Sequence, residues 1–263
     1  MNVQVLIATM NQNDFSLLDK MNIQTDAIVG NQCAKNEILE FDYNGRTVKW
    51  LSANEKGVGL NRNNTLLRSN GDIILFADDD VIYNDGYEKA ILDYYDSNPK
   101  ADVVIFNFLV KRGDSDCYER VTRSGRVNRL NATKYGTYCI TAKRKKIFHK
   151  NITFHLDFGG GAKYTNGEDT IFLQECLKKK LKVYSTKTML GIVEHRSSTW
   201  FNGYNDKYFF DKGVLFSFVF PKMCKAFALI HCLKHRSRYK EYGVLNAYEQ
   251  MKKGIFFEKR NLK

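Results

Sequence analysis

Proline is scarce in this chain: only Pro99 and Pro221 occur among 263 residues, which leaves no Pro-rich linker between units. Six cysteines (Cys33, Cys117, Cys139, Cys176, Cys224 and Cys232) include no Cys-x-x-Cys pair. Met1 to Asn11 lacks the basic start and long apolar core of a signal peptide, so a reducing cytoplasm is the expected compartment. No uninterrupted apolar run reaches the roughly 18 residues that suggest a membrane-spanning helix, and no internal repeat is visible. What is present is globular: hydrophobic residues at 43% and aromatics at 13% exclude a disordered chain. This length buries a substantial core and is expected to hold one domain with a small appendage.

The net charge of +12 is unevenly placed. Residues 1–100 carry 9 Lys or Arg against 15 Asp or Glu, whereas residues 101–263 carry 32 against 14. The basic second half is suited to an anionic partner, whether nucleic acid, a phospholipid surface or a phosphorylated substrate.

Along the chain, strand and helix patterns alternate. Val3 to Thr9 reads as a buried strand, Phe15, Leu18 and Met21 mark one side of a short helix, and Asp26 to Gly30 reads as a second strand. Arg46 to Ala53 is the third predicted strand, Leu60 to Arg68 a helix, and Asp72 to Ala77 the fourth strand. Tyr87, Ile91, Tyr94 and Tyr95 share one face of the next helix, with Asp85 and Glu88 spaced as a capping pair and Pro99 beyond its end. Val103 to Phe108 follows as another strand. This rhythm predicts an α/β fold: a Rossmann-like, mostly parallel central sheet flanked by helices. From 109 onward the sequence turns basic and irregular, and a hairpin around Ser124-Gly125 is predicted to present Arg120, Arg123, Arg126 and Arg129.

The densest chemistry lies in Gly71 to Asp80, where an apolar run of strand length delivers Asp78, Asp79 and Asp80 to the carboxyl end of a strand. Ligands collect at such ends in open α/β sheets. Like charges gathered there repel, and a divalent metal bridging to the phosphates of a bound ligand is the economical compensation, because hard oxygen donors suit magnesium or manganese. Asn31-Gln32 occupies the corresponding end of the second strand.

Four segments then stand in a telling order: Val3-Gln4-Val5-Leu6-Ile7-Ala8-Thr9, Gly57-Val58-Gly59-Leu60-Asn61-Arg62-Asn63, Phe76-Ala77-Asp78-Asp79-Asp80 and Gly167-Glu168-Asp169. Together they resemble a glycosyltransferase of family two over roughly residues 3 to 200. The resemblance implies a GT-A fold, a nucleotide-diphosphate sugar donor and an inverting transfer of the kind used on bacterial surface polysaccharides. By the same resemblance Asp78 contacts the donor's nucleoside, and Asp80 binds the Mn2+ or Mg2+ that clasps the diphosphate. His195, after the last strand, joins Asp80 as a metal ligand. The implied donor-binding set is Thr9, Asn31, Gln32, Asn54, Arg62, Asp78 and Asp79. Asp79 itself is expected to face away from its neighbours in a turn or capping role, because successive residues of an extended segment point opposite ways.

Inversion needs a carboxylate opposite the departing diphosphate to take the acceptor's proton. Glu168 and Asp169 are the candidates. Thr165 and Glu168 have capping-box spacing for a helix over Asp169 to Leu181, which gives Glu168 a structural explanation. Asp169 is left as the base, expected to be held ionised by the dipole of the first helical turn. Gly159-Gly160-Gly161, just before that helix, permits backbone conformations suited to a loop passing close to a sugar acceptor.

Residues 1–200 thus form the expected catalytic domain, with a nucleotide-sugar-binding half at 1–108 and an acceptor-binding half at 109–200. Residues 201–263 form a basic, aromatic C-terminal helical appendage. Gly213 to His235 is broken in two by Pro221, and neither piece spans a bilayer. Its apolar and lysine faces suit either a helix lying in the headgroup plane of a membrane or one packed on the catalytic domain. His231 and His235 share a helical face beside Cys232, but without a second ligand pair a surface cluster is expected rather than zinc.

The expected activity is therefore transfer of a sugar to a hydroxyl of a glycan or lipid-linked acceptor, as in capsule or lipopolysaccharide synthesis, at the inner face of the cell membrane. Nucleic acid is not an expected partner. A nucleic-acid-binding protein is the rival suggested by the arginines at 120, 123, 126 and 129, but it leaves the acidic edge unexplained. A nucleotidyltransferase with acid-bound metal is the rival within enzymes.

Overall fold

Val3 to Ala8 and Ile73 to Ala77 are nearly continuous apolar runs because their strands are covered on both faces, and every one of these side chains is buried. The structure, a computed structural model, describes residues 1–113, 116–194 and 203–261. The predicted metal ligand His195 lies outside the described residues.

The first half runs β1 (Val3–Met10), α1 (Leu17–Lys20), β2 (Asp26–Gln32), β3 (Glu37–Tyr43), β4 (Arg46–Ala53), α2 (Val58–Leu67), β5 (Ile73–Asp78), β6 (Val81–Tyr83) and α3 (Tyr87–Ser97). It continues with β7 (Val103–Arg112), β8 (Asp116–Glu119), β9 (Gly125–Arg126), β10 (Ile140–Lys143), α4 (Arg144–His149), α5 (Glu168–Lys178) and β11 (Val183–Glu194). Three helices close the chain: α6 (Asp206–Val219), α7 (Cys224–Lys234) and α8 (Val244–Asn261).

The strands join one sheet in the order β3-β4-β2-β1-β5-β10-β7-β11-β6, with β8 on β7 and β9 on β11. The expected parallel arrangement holds across β4-β2-β1-β5 and between β7 and β11. Strands β3, β6, β8, β9 and β10 join antiparallel. In the parallel half, Thr9 lies opposite Asn31, Gln32 opposite Ala53 and Ala8 opposite Asp78, so these chain ends form one rim.

Three local features differ from expectation. Strand β3 was not among the predicted strands; it pairs with β4 through Asn44-Gly45, both at positive φ, the turn that Asn-Gly favours in hairpins. No hairpin folds around Ser124-Gly125, because β8 pairs with β7 and β9 with β11 instead. The Asp85–Glu88 capping pair is not formed either: Gly86, left-handed at φ 73, is the N-cap, and Asp85 accepts from Asn22 and Gln24 across the chain.

The tail has its own core. Phe209, Val214, Leu215, Ala228, Cys232, Ala247, Met251 and Ile255 pack together and recruit Phe158, Tyr164 and Ile171 from the preceding part of the chain. Pro221 separates α6 from α7 as expected. Helices α6 and α8 approach at two glycines: a Cβ on Gly213 would stand 2.0 Å from the Met251 carbonyl oxygen, and one on Gly254 would stand 2.1 Å from that of Phe210. The His231–His235–Cys232 group is only partly at the surface: the two imidazoles stand together, half-buried, with ring centroids 4.6 Å apart. His231 Nε2 bonds the Tyr239 hydroxyl at 2.8 Å, and Cys232 is buried beside Met251. Among the described residues no helix is long and apolar enough to cross a membrane.

Candidate active site

Helix α2 organises the rim through three successive side chains. Asn61 donates to the Gly30 carbonyl of β2 at 2.8 Å, and the absence of a side chain on Gly30 makes room for it. Asn63 exchanges two hydrogen bonds with the backbone of Phe154, at 2.9 and 2.8 Å. Between them, Arg62 is aimed at the acids. Its Nη2 meets Asp78 Oδ1 at 2.5 Å and its Nη1 meets Glu168 Oε1 at 2.8 Å. The Arg62 side chain is only 5% exposed, against 13% for Glu168 and 34% for Asp78. Burial alone would lower the arginine's pKa, but the two carboxylates outweigh it and raise it, so the guanidinium is permanently charged. The Asn61 and Asn63 brackets were not singled out in sequence, although both sit in the motif quoted for Arg62.

The remaining rim residues divide by task. Asp79 Oδ2 accepts from the Thr9 hydroxyl at 2.6 Å, and Gln12 Nε2 donates to that same hydroxyl at 2.9 Å. Asp79 lies in the turn between β5 and β6, as expected, and caps no helix; its side chain ties that turn to the end of β1. Asn31 holds the loop after β1 through two 3.0 Å bonds to the backbone of Gln12. Gln32 Oε1 accepts from the Gly57 amide at 2.8 Å and so fixes the start of α2. Asn54 is exposed at the end of β4, with its backbone N–H bonded to Asn36 at 2.8 Å.

Glu168 and Asp169 open α5, whose N-cap is Gly167 in the left-handed region. The expected capping box is not made. Glu168 is turned to Arg62, and Thr165 gives both its N–H and its hydroxyl to Asp211 Oδ2 of α6, at 2.9 and 3.0 Å. Gly159, at φ +106, passes so close that a Cβ would lie 2.9 Å from the Glu168 carboxyl group, which accounts for glycine there. The Gly160 carbonyl accepts from the Val58 amide at 2.9 Å, joining the glycine loop to α2.

Asp169 departs from expectation. Burial, and then the neighbouring Glu168 charge, push its carboxyl up to about 6, so desolvation outweighs the helix dipole that was expected to keep it ionised. Lys212 of α6 faces both acids. Its Nζ donates to Asn166 Oδ1 at 3.0 Å; burial lowers its pKa, and Asp169 and Glu168 act in the opposite sense. Lys212 belongs to the tail, and nothing in the local sequence connects it to Asp169. Arg120 also extends its charge toward Asp169, from among Tyr138, Cys139 and Tyr118. Arg129 is bonded to Gln174 and to the Val219 carbonyl. Of the four arginines expected on one basic hairpin, Arg120 and Arg129 are thus engaged at separate places, while Arg123 and Arg126 are exposed.

Asp80 sits where β5 turns into β6, and its carbonyl accepts from the amide of Glu194, the residue before His195. That pairing brings the end of β11 to the acid triplet. Among the described residues no group of three His, Cys, Asp or Glu side chains is arranged to hold a metal. The carboxylate chemistry of the rim nevertheless fits Mg2+ or Mn2+, since such sites use one or two protein carboxylates and take other oxygens from substrate phosphates.

The sequence profile of glycosyl transferase family 2 matches residues 31–162, half of the chain. Among curated proteins no sequence matches this chain closely enough to carry an argument. Solved structures do share the fold. S. aureus TarS 1-349 in complex with UDP superposes with a TM-score of 0.63 at 14% identity, covering 96% of this chain and 90% of that one. S. aureus TarS 1-349 in complex with UDP-GlcNAc gives 0.61 at 16% identity, covering 82% of this chain and 66% of that one, just under two thirds of its length. Identities this low establish the common fold alone.

Proposed function

The chain belongs to glycosyl transferase family 2, and from that premise we propose that it moves a sugar from a nucleotide-diphosphate donor, with inversion, to a hydroxyl of a glycan or lipid-linked oligosaccharide. The observation that carries this reading is Arg62 bridging Asp78 and Glu168. One buried cation ties the strand end at the donor rim to the first turn of α5, which carries Asp169. The UDP and UDP-GlcNAc bound to the TarS structures make a uridine nucleotide sugar the first donor to test.

In this reading Asp78 meets the donor's nucleoside, and Thr9, Asp79 and Asn54 line the rim. Asn31 and Gln32 shape the pocket through the loops they hold. Arg62 neutralises the two acids that flank the donor and fixes their spacing. Asp169 accepts the proton of the attacking hydroxyl; with its pKa near 6 it is ionised at neutral pH yet still basic enough to take a proton in the transition state. Glu168 keeps Asp169 in register through its bond to Arg62.

Asp80, with His195, would hold Mn2+ or Mg2+. That ion supplies charge neutralisation for the departing diphosphate. The setting proposed is surface-polysaccharide synthesis, capsule or lipopolysaccharide, in the cytoplasm at the inner face of the cell membrane. Residues 1–200 carry the catalytic groups and 201–263 the appendage, whose first helix braces them.

A screen of nucleotide sugars with manganese by thermal shift identifies the donor, because a bound ligand stabilises the folded state according to its affinity. Asp80→Ala is then expected to abolish metal-dependent turnover. A variant that retains full manganese-dependent activity removes Asp80 from the metal site.

A further inference from the structure

Helix α7 is packed the wrong way round for a helix of a water-soluble surface. It meets the rest of the tail through Cys224, Ala228 and Cys232, all buried. Its opposite side is apolar and faces solvent: Met223 is 59% exposed, Leu229 42%, Ile230 58% and Leu233 55%. With Ala226, also exposed, these residues recur at the three- and four-residue spacing of one helical stripe. Lys225 and Lys234 flank the stripe and Lys222 precedes it, all exposed. The patch extends onto α8, where Phe256 is 50% exposed and its ring lies 4.6 Å from Lys225 Nζ. Contiguous apolar surface rimmed by charge marks an interaction site rather than scattered exposure.

Charge selects the occupant. Residues 221–263 carry 11 Lys or Arg against 3 Asp or Glu. A second copy of the chain seated stripe to stripe on this face would bring two strongly positive surfaces together, which is unfavourable. An anionic bilayer supplies the opposite sign and a place for the stripe. An α7 of 11 residues is about 16 Å long, too short to cross a bilayer but suited to lying in its interfacial plane.

We infer that the outer face of α7, with Phe256 beside it, is a lipid-docking surface that inserts Met223, Leu229, Ile230 and Leu233 into the headgroup boundary of an anionic membrane while the lysines meet lipid phosphates. This deepens the membrane placement proposed above by naming the surface and the lipid charge it needs. It does not depend on donor, metal or acceptor assignment.

The test is co-sedimentation of the full chain with vesicles, without donor or acceptor. Binding is expected to vesicles of phosphatidylcholine with about 30% phosphatidylglycerol, to weaken with salt, and to be weak on phosphatidylcholine alone. The triple variant Leu229→Ser, Ile230→Ser, Leu233→Ser is expected to lose roughly tenfold or more in partitioning. The substituted side chains are solvent-facing, so its melting temperature and nucleotide-sugar binding should be unchanged. Lys222→Glu with Lys225→Glu is expected to weaken binding to the anionic vesicles specifically. No partitioning of the parent chain, or equal partitioning by the triple variant, overturns the inference. A parent chain that is dimeric by light scattering and becomes monomeric in the triple variant overturns it too, assigning the stripe to contact between copies. Because vesicle binding is read without turnover, its failure leaves the transferase reading intact, and loss of transfer with intact vesicle binding does the converse.

Discussion

Arg62 Nη1 and Glu168 Oε1 are 2.8 Å apart although 106 positions separate the two residues in the chain. With Asp78 on the same guanidinium, a single side chain links the end of β5 to the start of α5. Arg62→Met should leave two acids without their cation. Removing one partner of a buried pair costs about 3–5 kcal/mol, and the partial exposure of Asp78 places this case at the lower end. Urea denaturation should show a loss of about 3 kcal/mol, with nucleotide-sugar binding weakened in the same variant. A stability change below about 1 kcal/mol, the range of surface ion pairs, would contradict a structural role for the bridge.

Asp169→Asn should keep the fold and the donor site but lose the proton acceptor. Turnover is expected to fall by about 10²–10⁴-fold, the usual contribution of a general base, with donor affinity by calorimetry within a factor of about two. Full activity in this variant would move the base elsewhere.

The pH dependence follows from burial. An acid with a pKa near 6 is protonated below that value, so turnover should drop as pH falls through about 6 rather than through the ordinary carboxylate range. The same shift has a consequence for stability with the opposite sign to that of a salt-bridged acid. Between about 4 and 6 the unfolded chain ionises Asp169 while the folded chain keeps its proton, so this group destabilises the fold progressively as pH rises through that window. Melting temperatures of the parent and Asp169→Asn should therefore diverge in favour of the variant from pH 4 to pH 6 and run parallel above it.

Lys212 offers a way to move that limb. Its charge opposes the rise in the Asp169 pKa, so Lys212→Met should shift the acidic limb of the rate profile to higher pH, and Lys212→Arg should return it toward the parent value. A purely structural lysine would change stability without moving the limb.

The Gly213 and Gly254 contacts set two effects against each other. Replacing an interior helical glycine by alanine is favourable by about 1 kcal/mol from propensity alone. Here the added Cβ meets a backbone carbonyl at 2.0 Å for Gly213 and 2.1 Å for Gly254, which no side-chain rotation relieves. Overpacking of about 1–3 kcal/mol or more should win, and both alanine variants should melt lower than the parent in a thermal scan.

The sheet centre was legible because Val3 to Ala8 and Ile73 to Ala77 are apolar on both faces, and a period of that kind does not depend on distant residues. The acid rim was legible for the same reason, since Asp78 to Asp80 simply continue a readable strand. Strand β3 was not read, because its residues are mostly exposed at the sheet edge and show no buried alternation; the Asn44-Gly45 turn was the available signal. The capping pairs at Asp85–Glu88 and Thr165–Glu168 illustrate the opposite case. Their spacing is sound local chemistry, but Asn22, Gln24, Asp211 and Arg62 arrive from elsewhere in the chain and take the same polar groups. Asp169 was singled out from a motif, whereas its electrostatic setting was not legible, because its burial and the nearby Lys212 come from packing of the chain around it.

Helix α6 holds Thr165 through Asp211 and Asn166 through Lys212, while Gly213, the next residue, seats it on α8. Three consecutive positions thus serve the loop before α5 and the last helix at once. Exchanging tails between relatives at a border near residue 200 should consequently disarm the acid as well as change the anchor, whereas a graft that begins after Val219 should spare it.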